Sequence, residues 1–273
     1  MIKVPLIKLN DGNSIPQVGL GLWQITDEKK FSKAFNAAIE AGYRHFDTAQ
    51  AYHNEAYLGR AIKQSKISRQ EIFITTKIAV QNFGDKKSRK SFEQSLKNLD
   101  ISYVDLLLLH FPVPVLRKKT WLTVEELKTQ GLTKSIGVSN FTPRHLLSME
   151  EYAKELPSIN QVEMHVFLQQ SKLREYCSKK GIVVEAYSPL AHAKAMDNQV
   201  IKQLSDKYNK SYAQIMLRWA LQQEVVIIPK SVNPDRIKEN IDIFNFKLSN
   251  VEIDLLKKQD KNLRTCWNPE LVP

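Results

Sequence analysis

A set of side chains able to move a proton or hold a polar group recurs along the chain at regular intervals: Asp47, Tyr52, Lys77, His110, Ser139, Asn140, Gln161, Tyr187, Lys230 and Ser231. A tyrosine is a weak acid with a pKa near ~10, and positive charge beside it lowers that value toward neutrality. Lys77 can supply the charge. Asp47 can keep Lys77 protonated and oriented through a charge-assisted hydrogen bond in a poorly solvated place. The three together make a proton-donating unit. His110 can then donate a hydrogen bond to a carbonyl and aim it between Tyr52 and a source of hydride.

Each residue also has a plainer reading. Asp47 and Lys77 alone would as often be a structural ion pair, since such pairs perturb pKa values too. His110 alone would more often be a satisfied core histidine and Tyr187 a packing residue, while His45, His53, His145, His165 and His192 have no evident role. Lys77 could also serve as a Schiff-base nucleophile, but that needs a neutral amine, and a neighbouring Asp47 works against it. A barrel that binds a cofactor only to regulate a partner is a further alternative. The order of the set argues for catalysis, because packing does not require one reactive group after another at corresponding places.

Those places are the ends of predicted strands. Apolar runs at 19–22, 44–48, 72–77, 104–110, 134–139, 158–163, 182–188 and 225–229 alternate with stretches of helical period, the pattern of βα units around a parallel sheet covered on both faces. Eight units predict a (β/α)8 TIM barrel, in which reactive groups stand at the carboxyl ends of the strands. Phe31, Ala34, Phe35, Ala38 and Ile39 recur at helical spacing before Gly42 as a stop. Thr142-Pro143 and Asn233-Pro234 read as helix starts, and Ser211 with Gln214 as a capping box. Ser68 with Glu71 has the same spacing but precedes a strand, so it is read as a chance match. Asp11-Gly12 between two short strand-like segments predicts an N-terminal β-hairpin plugging one end of the barrel.

Gly19-Leu20-Gly21-Leu22-Trp23-Gln24 lacks the third glycine of a dinucleotide fingerprint, and the Rossmann reading is discarded. Instead, Lys230 and Ser231 lead into the helix opened by Asn233-Pro234, with Arg236 in its first turn. Free N–H groups and cationic side chains there favour an anion.

At 273 residues with 42% hydrophobic and 25% charged side chains, the chain fits one globular domain spanning 1–273. No run of apolar residues is long enough to serve as a signal or to span a bilayer, so a cytoplasmic protein without membrane partners is expected. Cys177 and Cys266 show no metal-ligand spacing, and no metal is expected. The net charge of +11 sits partly in clusters at 86–90 and 117–119 without interleaved aromatics. They read as solvated faces rather than a nucleic-acid site.

The segments 42–49 (GYRHFDTA) with Tyr52, Asn54 and Glu55, 136–141 (IGVSNF), 160–163 (NQVE), and 228–231 (IPKS) with Arg236, Glu239 and Asn240 give the chain a resemblance to the aldo-keto reductase superfamily. It is most similar to the bacterial branch of 2,5-diketogluconate reductase-like enzymes, over essentially its whole length. The resemblance implies NADPH-dependent reduction of small aldehydes or ketones to alcohols, with Asp47, Tyr52, Lys77 and His110 as catalytic tetrad and Tyr52 as proton donor. It implies that Ser139, Asn140 and Gln161 hold the nicotinamide carboxamide and that Tyr187 stacks on its ring. Ser188, Leu190 and Val232 join the cofactor set, Lys230, Ser231 and Arg236 hold the 2′-phosphate, and Glu239 and Asn240 hold the adenine. The substrate pocket falls to Trp23, Ala79 and Phe111, where Ala79 and Phe111 replace tryptophans usual in the family. Short segments at 112–120 and 262–273 imply a more open pocket. A monomer acting on a small carbonyl compound is the expected form.

Overall fold

The computed structural model describes residues 2–193 and 197–273. A hairpin opens the chain: β1 (Leu6–Lys8) pairs antiparallel with β2 (Ser14–Pro16), Leu6 opposite Pro16. Gly12 turns it at φ 87°, a conformation that costs glycine little because it has no Cβ. The Asp11 carboxylate accepts from the Asn13 N–H at 3.1 Å, tightening the turn.

Eight parallel strands follow in sequential order: β3 (Leu20–Gly21), β4 (His45–Asp47), β5 (Phe73–Ile78), β6 (Val104–Leu109), β7 (Thr133–Ser139), β8 (Ile159–Glu163), β9 (Val183–Tyr187) and β10 (Val226–Ile227). The sheet closes on itself. Val18 bridges Ile227, and the Gly19 and Gly21 N–H groups donate to Ile227 O at 2.9 Å and Pro229 O at 3.1 Å. The (β/α)8 barrel expected from the alternation is therefore present with all eight strands. The last expected strand, 225–229, is trimmed to two residues. Pro229 has no N–H to continue the ladder.

Amphipathic helices wrap the barrel: α1 (Glu28–Ala41), α2 (Glu55–Gln64), α3 (Asp85–Leu99), α4 (Leu116–Thr129), α5 (Pro143–Met149), α6 (Ser171–Lys179), α7 (Gln199–Tyr208), α8 (Tyr212–Leu221), α9 (Pro234–Ile241) and α10 (Asn250–Lys257). On α1 the predicted stripe is buried at Phe31, Ala34, Phe35 and Ala38 and half-buried at Ile39, and Gly42 ends the helix at φ 109°. The Ser211 hydroxyl accepts from Gln214 N–H while the Gln214 side chain accepts from Ser211 N–H, so that capping box is real. Ser68 corrects the expectation. The Glu71 carboxylate accepts from Ser68 N–H at 3.0 Å and from its hydroxyl at 2.8 Å, closing a one-turn 3-10 helix (Arg69–Glu71) just ahead of β5. Among the described residues no helix is long and apolar enough to cross a membrane.

The barrel interior divides into two zones. At the amino ends of the strands, Leu9 and Ile15 of the hairpin pack with Leu106, Leu108, Ile159 and Val226 in one apolar cluster, which is the expected plug. Gly137 lies among these side chains because there is no room for more: a Cβ there would sit 2.6 Å from Ile159 O and 2.7 Å from Leu108 Cδ2. Towards the carboxyl ends the inward positions become polar. Gly137→Ala overpacks this layer and should cost about 1–3 kcal/mol, seen as a drop of several degrees in Tm. An unchanged Tm would show that β7 has slack against β8.

Candidate active site

A cleft of about 540 Å³ opens at the carboxyl ends of the strands. Asp47 ends β4 and Lys77 lies on β5, both pointing into the barrel because inward positions alternate along a strand. Lys77 is 0% exposed. Its ammonium donates to Asp47 Oδ1 at 2.5 Å, to Thr48 O at 3.1 Å and to Tyr52 Oη at 3.1 Å. Burial alone would push the ammonium down, but Asp47 and Tyr52 outweigh it and hold Lys77 above its ordinary value. Burial raises the Asp47 carboxyl, offset in part by Lys77 and by the Gln161 amide. With its three acceptors around it, the buried ammonium makes this pair ionic.

Tyr52 departs from the sequence expectation in one respect. Burial pushes its phenol above the usual range, and the opposing pull of Lys77 does not cancel that. The phenol therefore keeps its proton at neutral pH. The Lys77 contact gains strength only as negative charge develops on the oxygen, which is when a donor needs it. His110, one residue past β6 (Val104–Leu109), sets its ring edge-to-face with Tyr52 at 5.7 Å between centroids. Burial and the Lys77 charge push its imidazole down to about 3. It is neutral and can donate a hydrogen bond without carrying charge.

Behind these four residues runs a continuous polar chain. The Tyr187 hydroxyl donates to Asn140 Oδ1 at 2.8 Å, and Asn140 Nδ2 donates to His110 O at 3.2 Å and Ser139 Oγ at 3.1 Å. Ser139 Oγ donates to Gln161 O at 3.0 Å. Asn140 holds φ 65°, a left-handed conformation that asparagine tolerates better than most residues. Gln161 Nε2 donates to Asp47 Oδ2 at 2.8 Å and to Glu185 Oε2 at 2.7 Å. Trp23, Phe111, Ser188, Leu190 and Lys230 also border the cleft.

Three expectations shift. Ala79 is buried behind Gln50, whose Oε1 accepts its N–H at 2.9 Å, and Val80 and Gln81 line the cleft in its place. At α9 the Asn233 side chain accepts from the N–H groups of Asp235 and Arg236, so those groups are spent. What remains for an anion is the exposed cations Lys230 and Arg236, with Ser231 and Val232 between them and Ser231 Oγ held by Asn233 N–H at 3.1 Å. Glu239 accepts from the Ser211 hydroxyl, and Asn240 is buried.

The short C-terminal tail, expected to leave the pocket more open, instead lays Cys266 and Trp267 along it, residues the sequence reading did not place. Glu163, at the end of β8, accepts from Thr265 N–H at 2.6 Å, Thr265 Oγ1 at 2.5 Å and Cys266 N–H at 3.1 Å, with His165 at 3.3 Å. Burial would raise this carboxyl, yet these donors win and hold it at about 2. The clamp carries Cys266 and Trp267 onto the cleft, where Trp267 meets Phe111 edge-to-face at 6.1 Å. No local pattern in the tail signals this contact, which is purely tertiary.

Residues 17–261 match the sequence profile of the aldo/keto reductase family. The chain belongs to this family. It is 42% identical to the methylglyoxal reductase DkgA of Escherichia coli (strain K12) over 274 residues, 99% of this chain and 98% of that one, in keeping with the 2,5-diketogluconate reductase-like branch. Among solved structures, an aldo-keto reductase from a Medee basin deep-sea metagenome library superposes with a TM-score of 0.95 at 39% identity, covering 98% of this chain and 99% of that one. A Bombyx mori aldo-keto reductase in complex with NADP gives a TM-score of 0.92 at 34% identity, covering 97% and 95%.

The tail clamp has a pH signature in this member of the family. A carboxyl held below its ordinary value stabilises the fold above about pH 4.5, and that contribution is lost as pH falls toward about 2. Glu163→Gln should therefore lower Tm at pH 7, with the gap to wild type narrowing as pH drops below about 4.5. A gap that stays constant with pH would mean that the tail is held by shape rather than by the charge.

Proposed function

We propose that this chain is an NADPH-dependent oxidoreductase that reduces small aldehydes and ketones, with Tyr52 as proton donor. The observation that carries the reading is the wholly buried Lys77 ammonium set between Asp47 at 2.5 Å and the Tyr52 hydroxyl at 3.1 Å, at the mouth of the barrel. The methylglyoxal reductase relative supports small 2-oxoaldehydes as the first substrates to try. The mouth is narrowed by Trp23, Phe111 and Trp267, which suits a compact carbonyl compound with some apolar surface.

The donor set fits the cofactor. Both Nε2 hydrogens of Gln161 are engaged inside the barrel, and among the described residues its Oε1 makes no hydrogen bond, so it is an acceptor suited to a carboxamide N–H. Ser139, Asn140, Tyr187, Ser188 and Leu190 complete that end, while Lys230, Ser231, Val232 and Arg236 would hold a 2′-phosphate, with Glu239 and Asn240 nearest the adenine. When bound, the nicotinamide supplies a hydride. His110 then orients the substrate carbonyl by a hydrogen bond, and Tyr52 passes its proton to the developing alkoxide as Lys77 stabilises the phenolate left behind. Asp47 keeps Lys77 charged throughout. That same charge disfavours a Schiff-base role for Lys77, which requires the free amine. In this reading the chain acts as a monomer in the cytoplasm.

Tyr52→Phe should leave the fold and NADPH binding intact and cut turnover by ~100-fold or more, the scale of a lost general acid. Turnover near wild type with a panel of aldehydes, followed by NADPH absorbance, would remove Tyr52 from the mechanism. For the cofactor, Arg236→Ala should weaken NADPH binding by roughly 10-fold to 150-fold, the worth of one charged hydrogen bond. NADH affinity should barely change in a fluorescence titration at fixed salt. Equal losses for both cofactors would assign Arg236 to supporting α9.

A further inference from the structure

Glu185 has no part in the reaction as derived so far, and the fold does not need it. It lies mid-strand on β9 between Val184 and Ala186, wholly buried, where an aliphatic residue would fill the barrel wall without bringing a carboxyl out of water. One of its oxygens, Oε1, has no hydrogen-bond partner. The other accepts from Gln161 Nε2 at 2.7 Å, across the register that sets Gln161 opposite Glu185.

That bond matters because of what it does to the Gln161 amide. The amide has two N–H donors and one carbonyl acceptor. Asp47 Oδ2 takes one hydrogen at 2.8 Å and Glu185 Oε2 takes the other. With both hydrogens committed inside the barrel, the amide plane is fixed by two points and its oxygen is left for the cleft. A flipped amide would set that oxygen against the Asp47 charge, losing that bond. With Asp47 as the sole acceptor, only one point would hold the plane, and the second N–H would be free to turn toward the cleft.

We propose that Glu185 is a positioning residue of this site, which pins the second hydrogen of the Gln161 amide and so presents the amide oxygen to the carboxamide of the cofactor. The proposal rests on the NADPH reading above. Its surroundings keep Glu185 from disturbing the tetrad. The titratable groups facing it are His45 and Asp47 on β4 and Lys77 on β5, with Tyr52 beyond Lys77. β8 offers only the Gln161 amide, and β10 pairs the uncharged Val226 with it. Burial, then the Asp47 charge, pushes the Glu185 carboxyl up to about 8, and burial pushes His45 down to about 3. At 3.6 Å these two are therefore a neutral acid beside a neutral imidazole rather than an ion pair. A neutral acid accepts from Gln161 without adding a second negative charge beside Asp47 and Lys77.

The test compares two ligands by calorimetry on the full chain at pH 7: NADPH, and adenosine 2′,5′-bisphosphate, which has the phosphorylated adenosine end and no nicotinamide. Glu185→Leu should weaken NADPH by about 10-fold, the worth of one hydrogen bond, and leave adenosine 2′,5′-bisphosphate within about 2-fold. Glu185→Gln, whose carbonyl can still accept from Gln161, should bind both ligands as wild type does. Equal loss of both ligands, no loss of NADPH in Glu185→Leu, or the same loss in Glu185→Gln would each overturn the positioning role. Should Glu185→Leu not fold, proton exchange at the Gln161 side-chain amide in the wild type decides: two protected protons support the assignment, and one protected with one exchanging freely overturns it. A wild-type chain that binds the bisphosphate but not NADPH, or neither, overturns the cofactor reading itself, and this is visible before any variant is made.

Discussion

An ammonium group with no exposure to water must find all its partners within the protein, and in this barrel that single requirement organises the site around Lys77. Three acceptors surround it: a carboxylate from the neighbouring strand, a backbone carbonyl just past it, and the hydroxyl of Tyr52 from the loop beyond. The carboxylate must in turn be satisfied, which falls to Gln161 from across the barrel. Gln161 then calls for a second acceptor, and Glu185 provides it. Removing any one partner leaves a buried polar group unpaired, so the constellation holds its geometry before any ligand arrives.

The division of the barrel interior makes this possible. The apolar hairpin plug seals the end away from the cleft, so the polar layer above it is shut off from water on that side and open only toward the mouth. Low local polarizability strengthens each hydrogen bond and also lifts the cost of leaving one unmade. The same burial that raises the Tyr52 phenol lowers His110, leaving a protonated phenol and a neutral imidazole edge to face at 5.7 Å between centroids.

Much of this was legible in the residues. The strands could be read because a parallel sheet covered on both faces leaves continuous apolar runs, and the meeting of Asp47, Tyr52, Lys77 and His110 followed because barrel strands deliver whatever comes at their ends to one mouth. Ala79 was placed in the pocket from the resemblance alone, which carries over a position but not what packs on it; here Gln50, from a different loop, closes over it. At α9 the reading contained its own correction: Asn233 was recognised as a cap, and a cap consumes the N–H groups that an anion would otherwise use. Ser68 and Glu71 were dismissed because a strand follows, although a single helical turn fits ahead of it. Glu185 was within reach, since it stands two residues before Tyr187 and so shares its inward face. Cys266 and Trp267 were not, because only the Glu163 clamp, more than a hundred residues earlier in the chain, places them.

The seam between β10 and β3 sets a condition on how the chain comes to be folded. It joins the first barrel strand to the last, and the Gln17 side chain reaches Val225 O across a separation of 208 residues. Closing so long a loop is entropically costly and slow compared with making the neighbouring βα contacts. During synthesis β3 emerges early and has an open edge on that side until β10 has left the ribosome. An unpaired parallel edge is a template for mispairing with other chains. The two-residue length of β3 and β10 limits that hazard, since so short an edge offers few hydrogen bonds to a wrong partner.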